Sequence, residues 1–192
     1  MSATTLERAR TDMRMPGPCP VIATGQLVLR PHRRTDADSI AQSLSDFSVS
    51  RMLARIPLPY DRQDAQDWLQ MQLAGACGDW AHAITTGDDV HIGVVSLELR
   101  GSSWHLGYWL NRYYWGKGIM TEAAAAVLDR FLRRMPETVV QSGAFADNAP
   151  SLKIQQKLGF RITDCNELFN TTRNVMVPHI ETRLCPEDFR WP

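Results

Sequence analysis

The chain has 192 residues, of which 44% are hydrophobic and 22% charged, a composition typical of one globular domain with its own core. Lysine plus arginine and aspartate plus glutamate number 21 each, so the zero net charge gives no reason to expect a nucleic-acid partner. The sequence has no apolar run of about 18 residues, and no membrane partner is expected.

The cysteines are scattered along the chain and form no Cys-x-x-Cys pair. They are Cys19, Cys77, Cys165 and Cys185. This spacing favours reduced thiols in a cytoplasmic protein, and no metal site is predicted. Residues 1–22 contain several prolines and no apolar segment of the kind a secretory signal needs, so a flexible extension is expected there. Residues 23–192 are expected to form a single domain.

The first part of the chain predicts one strand and three helices. The strand covers residues 26–30, and the helices cover 36–44, 48–54 and 62–73. Thr35 or Asp36 can cap the first helix, because their side-chain oxygens accept hydrogen bonds from N–H groups of a first turn. The third helix is predicted from apolar residues that recur at helical spacing, namely Ala65, Trp68, Leu69 and Leu73.

The remainder predicts a mixed sheet with two more helices. A meander of strands is predicted over 80–84, 95–99 and 104–110. Val95, Leu97 and Leu99 alternate with polar residues, which is typical of a strand with one apolar face. A helix over 121–135, a strand over 138–146, a helix between Asn148 and Gly159, and a last strand within 173–184 follow. Meander strands followed by strand, helix and strand predict a mixed α/β sheet.

A glycine loop, Gly116-Lys117-Gly118, joins the strand ending at Leu110 to the helix after it. The first N–H groups of a helix lack partners within the helix, and with the helix dipole they attract anions. Glycines let a ligand approach the backbone, and Lys117 adds positive charge. The spacing fits neither a Walker A loop nor a dinucleotide fingerprint. From these residues alone, a phosphate cradle and a glycine turn that binds nothing both stay open.

Two motifs in order resemble the GNAT acyltransferases. The first is Tyr-Trp-Gly-Lys-Gly-x-x-Thr-Glu-Ala at 114–123, and the second is Asn-x-x-Ser at 148–151 followed by Lys-Leu-Gly-Phe at 157–160. The pair is similar to the branch that contains the ribosomal-protein N-terminal acetyltransferases, and the resemblance covers roughly residues 25–190. It implies a GNAT-like α/β (α+β) fold, with a mixed, mostly antiparallel central sheet flanked by helices.

The resemblance also implies a co-substrate, acetyl-CoA, and the residues that hold it. Its pyrophosphate is expected on the main-chain amides of the glycine loop, and its pantetheine arm on the strand end and Asn148. Ser151 is expected near the sulfur, as the acid for the leaving thiolate. The implied cofactor-binding residues are Tyr108, Trp109, Leu110, Trp115, Gly116, Lys117, Gly118, Ile119, Met120, Asn148 and Ser151.

The residue that would deprotonate an acceptor amine is not fixed by the sequence. His105 stands where related sequences often carry a glutamate, and an imidazole suits proton transfer near neutral pH. Glu98 lies on the polar face of the neighbouring predicted strand. A surface histidine and a solvated carboxylate are the alternatives for these two. Glu167 or a relay of water to bulk solvent could also serve.

The sequence therefore predicts an acetyl-CoA-dependent N-acetyltransferase that transfers the acetyl group directly to an amine. A peptide or protein α-amine is the first acceptor class and a small-molecule amine the second. The alternative is a non-catalytic acyl-CoA-binding or regulatory module on the same fold, because fold does not fix function. The segment 52–60 either lines the acceptor side or only ties its loop down. The oligomeric state stays open, with a homodimer as the commonest form.

Overall fold

A computed structural model describes residues 15–74 and 79–192. Within these residues eight strands form one sheet: Ile22–Ala23 (β1), Val28–Pro31 (β2), Trp80–Thr85 (β3), His91–Arg100 (β4), Ser103–Leu110 (β5), Val140–Phe145 (β6), Arg161–Asn170 (β7) and Val175–Leu184 (β8). The helices are Ala37–Leu44 (α1), Phe47–Ser50 (α2), Arg62–Leu73 (α3), Ile119–Arg134 (α4) and Ala149–Leu158 (α5). Short 3-10 helices cover Arg34–Asp36, Arg112–Tyr114 and Pro186–Asp188.

The sheet has the order β1-β2-β3-β4-β5-β6-β8-β7. All of its neighbouring strands run antiparallel except β5 and β6, which are parallel. This confirms the predicted mixed, mostly antiparallel sheet. None of the helices in the described part of the chain is long and apolar enough to cross a membrane.

The parallel pair β5–β6 separates soon after it forms. Its register covers only Trp104 with Val140 and His105 with Gln141. Beyond His105, β5 continues to Leu110 alongside β4, while β6 continues alongside β8. The sheet therefore opens into a splay between the end of β5 and β6. We call this opening the β5–β6 splay.

Helices cover both faces of the central strands. A large core cluster contains residues of α4 with Trp80, Val95 and Trp104, and a smaller one contains residues of α1 and α3. Over the stretch 95–99 that was predicted for β4, Val95 and Leu97 are buried, as the predicted apolar face requires. The strand begins earlier, at His91, so Val94 and Val95, on opposite faces, are both buried. Both are covered because β4 contacts α1 as well as α4.

Strand β7 was not predicted, because its sequence shows no apolar alternation. Nine of its ten residues are exposed, and it pairs with β8 along one edge only. Hairpin pairing, rather than burial of its side chains, therefore holds it in the sheet. In helix α1 the predicted capping hydrogen bond is not made. Asp36 instead accepts hydrogen bonds from the Arg30 guanidinium at 2.8 and 3.0 Å.

The segment before β1 is packed rather than loose. Trp80 Nε1 donates to Gly17 O at 2.8 Å, and Arg134 donates to Pro16 O at 2.7 Å. Pro16 and Ile22 are buried. The prediction of a flexible extension over 1–22 is thus corrected for residues 16–22, because β3 and α4 donate hydrogen bonds to this segment and its apolar side chains are partly buried. Residues 1–14, and Cys77 among the predicted thiols, lie outside the described residues.

Candidate active site

The glycine loop is open, and both of its glycines have left-handed backbone geometry. Gly116 and Gly118 have φ values of 73° and 77°, and a Cβ on either would meet nothing within 4 Å. Gly118 is the N-cap of α4, and because it has no side chain, it cannot satisfy the N–H groups of the first turn itself. No side chain caps this helix start among the described residues, so its first N–H groups are available to bind a phosphate.

The residues that flank these glycines hold the loop in place. The side chains of Ile119 and Met120 are buried in the core, so only their main-chain groups can face a ligand. Trp115 Nε1 donates to Leu110 O at 2.7 Å, which ties the loop back to the end of β5. Lys117 is exposed, with its Nζ 5.4 Å from the centroid of the Tyr114 ring, and can move toward an anion.

At the end of β5, Tyr108 is the residue whose main chain best faces the β5–β6 splay. Asn111 N donates to Ile92 O at 2.8 Å. Because residues of an antiparallel strand alternate between bonding to the partner strand and pointing away from it, the main-chain N–H and C=O groups of Trp109 face β4, whereas those of Tyr108 and Leu110 face the splay. The Leu110 carbonyl is already bonded to Trp115. The predicted strand-like pairing with an acyl carrier is therefore left mainly to Tyr108, because Trp109 packs its side chain against the α1–α3 cluster.

Ser151 lies in the first turn of α5 and contacts the Tyr108 side chain across the splay. Its hydroxyl oxygen is 2.9 Å from Tyr108 Oη, and the residue is only 8% exposed. Asn148 caps this helix, accepting a hydrogen bond from Ser151 N at 3.3 Å. The structure thus brings Tyr108, Asn148 and Ser151 together, as predicted. Burial raises the pKa of Tyr108, which therefore stays protonated and can donate.

Two residues that the sequence analysis missed complete this network. Thr182 Oγ1 donates to Gln155 Oε1 at 2.6 Å, which turns the Gln155 amide nitrogen toward Gly143 O at 3.2 Å and Ser151 Oγ at 3.4 Å. Gln155 follows Ser151 by four residues, the spacing of neighbours on one helix face, and this spacing was the available signal. Thr182 lies on β8, and no local pattern connects it to α5.

The predicted bases Glu98 and His105 form a cross-strand pair between β4 and β5. His105 and Tyr108 are three residues apart in one strand, so their side chains leave opposite faces of the sheet. Ser151 is therefore on one face and the two bases on the other, with the β5–β6 splay between. The predicted proton donor and the predicted bases would thus approach a reacting group from opposite sides.

Neither base is strong. Burial works against the charge on Glu98, but hydrogen bonds and charge from Arg100 outweigh it, so the pKa of Glu98 is lowered. Arg100 Nη2 is 2.7 Å from Glu98 Oε2, and Ser96 Oγ donates to Oε1 at 2.9 Å. Burial and the nearby Arg100 charge also lower the pKa of His105, which leaves it neutral at pH 7 but weakly basic. The third candidate, Glu167, lies on the exposed strand β7.

The segment 52–60 is tied to the turn between β7 and β8. Asn170 Nδ2 donates to Leu53 O at 3.1 Å, Thr171 N donates to Ala54 O at 2.9 Å, and Thr172 Oγ1 donates to Ile56 O at 2.6 Å. These bonds support the interpretation that the segment is held down. That the segment also lines the acceptor side of the site stays a prediction.

Comparison with known proteins agrees with this architecture. The acetyltransferase (GNAT) domain family matches residues 26–161. The uncharacterized N-acetyltransferase p20 of Bacillus licheniformis is 27% identical over 144 residues, which are 72% of this chain and 80% of that protein. RimJ of Mycobacterium smegmatis, solved in complex with CoA-disulfide, matches with a TM-score of 0.77 at 18% identity over 91% of each chain.

A second solved structure is RimL, a ribosomal alpha-N-protein acetyltransferase in complex with coenzyme A. It matches with a TM-score of 0.73 at 18% identity, over 88% of this chain and 100% of its own. At such identities these two structures show a common fold. An open helix start beside a splayed mixed sheet is the acyl-CoA acyltransferase fold. The chain belongs to the GNAT acetyltransferase family.

Proposed function

We propose that this protein is an acetyl-CoA-dependent N-acetyltransferase that acts on the α-amine of a peptide or protein. The observation that carries the proposal is the position of Ser151. Its hydroxyl lies beside the β5–β6 splay, between two hydrogen-bonding neighbours, Tyr108 and Gln155. A non-catalytic binding module has no need of a hydroxyl oriented in this way.

The residues present fit acetyl-CoA as the acyl donor. The main-chain amides of Gly118 and of the first turn of α4 would hold the pyrophosphate, with Lys117 beside them. Tyr108 would pair its main chain with the pantetheine arm, and Asn148 would contact the same arm. The bound donor supplies an acetyl group activated as a thioester. The site needs no metal for this chemistry.

Ser151 is placed to supply the proton that the departing thiolate requires. Gln155 Nε2 donates to Ser151 Oγ at 3.4 Å, and Tyr108 Oη lies 2.9 Å from Ser151 Oγ and 3.2 Å from Ser151 O. When Tyr108 donates to Ser151 Oγ, the serine hydrogen is free to point toward the splay. When Ser151 gives up its proton, Tyr108 is in hydrogen-bond contact to stabilise the resulting oxygen. Gln155 and Tyr108 thus act as positioning residues for Ser151.

Weak bases favour an α-amine as the acceptor. An amine must be neutral to attack a thioester, and at pH 7 roughly a tenth of α-amines but only about one lysine side chain in two thousand is neutral. Because the pKa values of Glu98 and His105 are both lowered, neither can readily deprotonate a lysine. An α-amine needs little help. The name of the RimL neighbour, an alpha-N-protein acetyltransferase, supports the same acceptor class.

The test is a thiol-release assay with two matched peptides of one sequence. One has a free α-amine and acetylated lysines, and the other has an acetylated α-amine and free lysines. We expect release of CoA with the first peptide only. Preference for the second peptide would contradict the proposed α-amine acceptor. Release of CoA with small-molecule amines but with neither peptide would indicate a small-molecule acceptor instead. Binding of acetyl-CoA without release from any amine would indicate the non-catalytic alternative.

A further inference from the structure

Two buried histidines and one buried aspartate meet at a place that the acetyltransferase chemistry does not use. His32 follows β2, Asp36 precedes α1, and His91 begins β4. Their exposed fractions are 6%, 4% and 7%. One possible ligand atom from each residue lies within 4.8 Å of the others. His32 and Asp36 are four residues apart, but His91 lies far along the chain from both, which is why no metal motif was visible there.

The histidines have no hydrogen-bond partners for their ring nitrogens. Within residues 15–74 and 79–192, Nδ1 and Nε2 of both His32 and His91 are buried and unpartnered. His32 Nδ1 is 3.8 Å from Asp36 Oδ2, too far for a hydrogen bond. Buried polar atoms normally have partners, and four such nitrogens in one place therefore need an explanation.

The carboxylate of Asp36 is held in position by other groups. Arg30 donates to both of its oxygens, and Arg33 N donates to Oδ2 at 2.8 Å. Arg30 also contacts Asp89, at 2.7 Å. Arg30 is therefore shared between two carboxylates, and these three residues together carry a net negative charge. The exposed Arg33 side chain contacts Asp89 on its outer side. With Arg33 included the four side chains carry no net charge, and it is the unpartnered histidine nitrogens that point to a bound ion.

Tryptophan rings pack against both histidines. The Trp68 ring packs edge-on against His32 with centroids 4.9 Å apart, and Trp109 lies 5.8 Å from His91. The two imidazole centroids are 6.1 Å apart. Apolar walls around these three donors limit the access of solvent, as the hydrophobic shell of a metal site does.

We propose that His32, Asp36 and His91 bind one divalent transition-metal ion, with zinc as the best match. Two imidazoles and one carboxylate are ligands that zinc accepts, whereas calcium and magnesium prefer oxygen ligands. Ligands of one tetrahedral zinc ion lie about 3.4 Å apart. The three donors lie within 4.8 Å of one another, and His32 Nδ1 is 3.8 Å from Asp36 Oδ2, so binding requires them to move closer together. The ion would tie the connection between β2 and α1 to the start of β4, and its role is structural.

The test uses the full chain, freed of metal with a chelator and dialysed. Titration with Co²⁺ should give one saturable equivalent with the visible absorption of a protein site, and Zn²⁺ should displace it. Zn²⁺ should also raise the melting temperature of the stripped protein. The absence of saturable binding of either ion by the wild type would overturn the proposal and leave two buried histidines bridged by water.

Variants locate the ion. His32→Leu and His91→Leu should each weaken Co²⁺ binding by at least about 100-fold. Loss of a residue that only hydrogen-bonds a metal ligand already lowers metal affinity by about 10–100-fold. The matched control is His179→Leu, since His179 Nδ1 lies 3.1 Å from Glu181 outside the cluster and could bind an adventitious ion. Binding that survives in both cluster variants but not in the control would overturn the proposal.

Melting temperatures measured with chelator present give an independent readout. Each leucine variant removes buried, unpartnered nitrogens, so it should melt no lower than the stripped wild type. With Zn²⁺ present the wild type should melt above both variants. If Zn²⁺ leaves the order of melting temperatures unchanged, the ion does not act at this cluster.

Discussion

The Ser151 hydroxyl shows how neighbouring side chains give one atom a direction. Its oxygen can accept from Tyr108 and Gln155, while Thr182 fixes which end of the Gln155 amide faces it. The sequence motif predicted that Ser151 is near the acyl donor. It could not predict the orientation, because Thr182 approaches from a strand that pairs only in the folded sheet.

Ser151→Ala should lower turnover by about 100- to 10,000-fold, the range expected for loss of a general acid. Affinity for acetyl-CoA should stay near that of the wild type, because the main chain of α5 is unchanged. Thiol-release kinetics and calorimetry measure the two effects separately. Tyr108→Phe should have a smaller effect of about tenfold, since it removes one hydrogen bond to Ser151. Unchanged turnover of Ser151→Ala would remove the acid assignment.

His82 makes the free energy of unfolding depend on pH. It is fully buried, Nε2 lies 2.9 Å from Pro20 O, and burial lowers its pKa to about 4. Between about pH 6.5 and 4 the unfolded chain therefore binds a proton that the folded chain does not, and acid favours unfolding. This residue should cost about 2 kcal/mol of stability on going from pH 7.5 to pH 5.

Urea unfolding of the wild type and of His82→Gln at both pH values checks this prediction. Glutamine can still donate to Pro20 O but does not titrate. The variant should therefore lose less stability at pH 5 than the wild type does. Equal pH dependence of the two proteins would mean that His82 does not carry this linkage.

At the scale of elements, the N-terminal end of helix α5 combines helix capping with a predicted contact to the acyl donor. Asn148 caps the helix, and the same residue was predicted to contact the pantetheine arm. The sequence could not separate capping from contact, because both use the exposed start of one helix. Replacing Asn148 by serine keeps a capping oxygen and removes the amide group, whereas alanine removes both.

Asn148→Ala should lower the free energy of unfolding by about 1 kcal/mol, and Asn148→Ser by only a few tenths. Both variants should lose affinity for acetyl-CoA to a similar degree, because both lack the amide. Chemical denaturation and calorimetry provide the two readouts. Wild-type affinity in the serine variant would show that Asn148 is a cap alone.

Local sequence patterns predicted helices α3 and α4 well but missed a strand at the edge of the sheet. Helix α3 begins at Arg62 and ends at Leu73 as predicted, because apolar spacing and an Asp61 capping box act together. Helix α4 covers Ile119–Arg134 where a helix over 121–135 was predicted, and Ala124, Val127, Leu128 and Phe131 on it are buried. Strand β7 was missed because its pairing with β8 is non-local and leaves no apolar pattern in the sequence.

At the scale of the whole molecule, the splay in the sheet decides where chemistry can occur. The β5–β6 pairing ends at His105, and from there the glycine loop, Tyr108 and Ser151 surround one opening while Glu98 and His105 lie on its other face. The sequence motifs predicted which residues belong to the site. The end of a strand pairing is a property of two strands together, and the sequence alone does not locate it.

The central claim is that the glycine loop holds acetyl-CoA, and calorimetric titration of the full chain tests it most directly. Gly118→Trp should block the loop. The matched control is Gly101→Trp, because Gly101 also has a positive φ of 62° and open space around its Cβ but lies in the β4–β5 turn. We predict wild-type binding in the micromolar range, about −8 kcal/mol, retained in the Gly101 variant and lost in the Gly118 variant. Absence of binding by the wild type, or equal binding by all three proteins, would contradict the account.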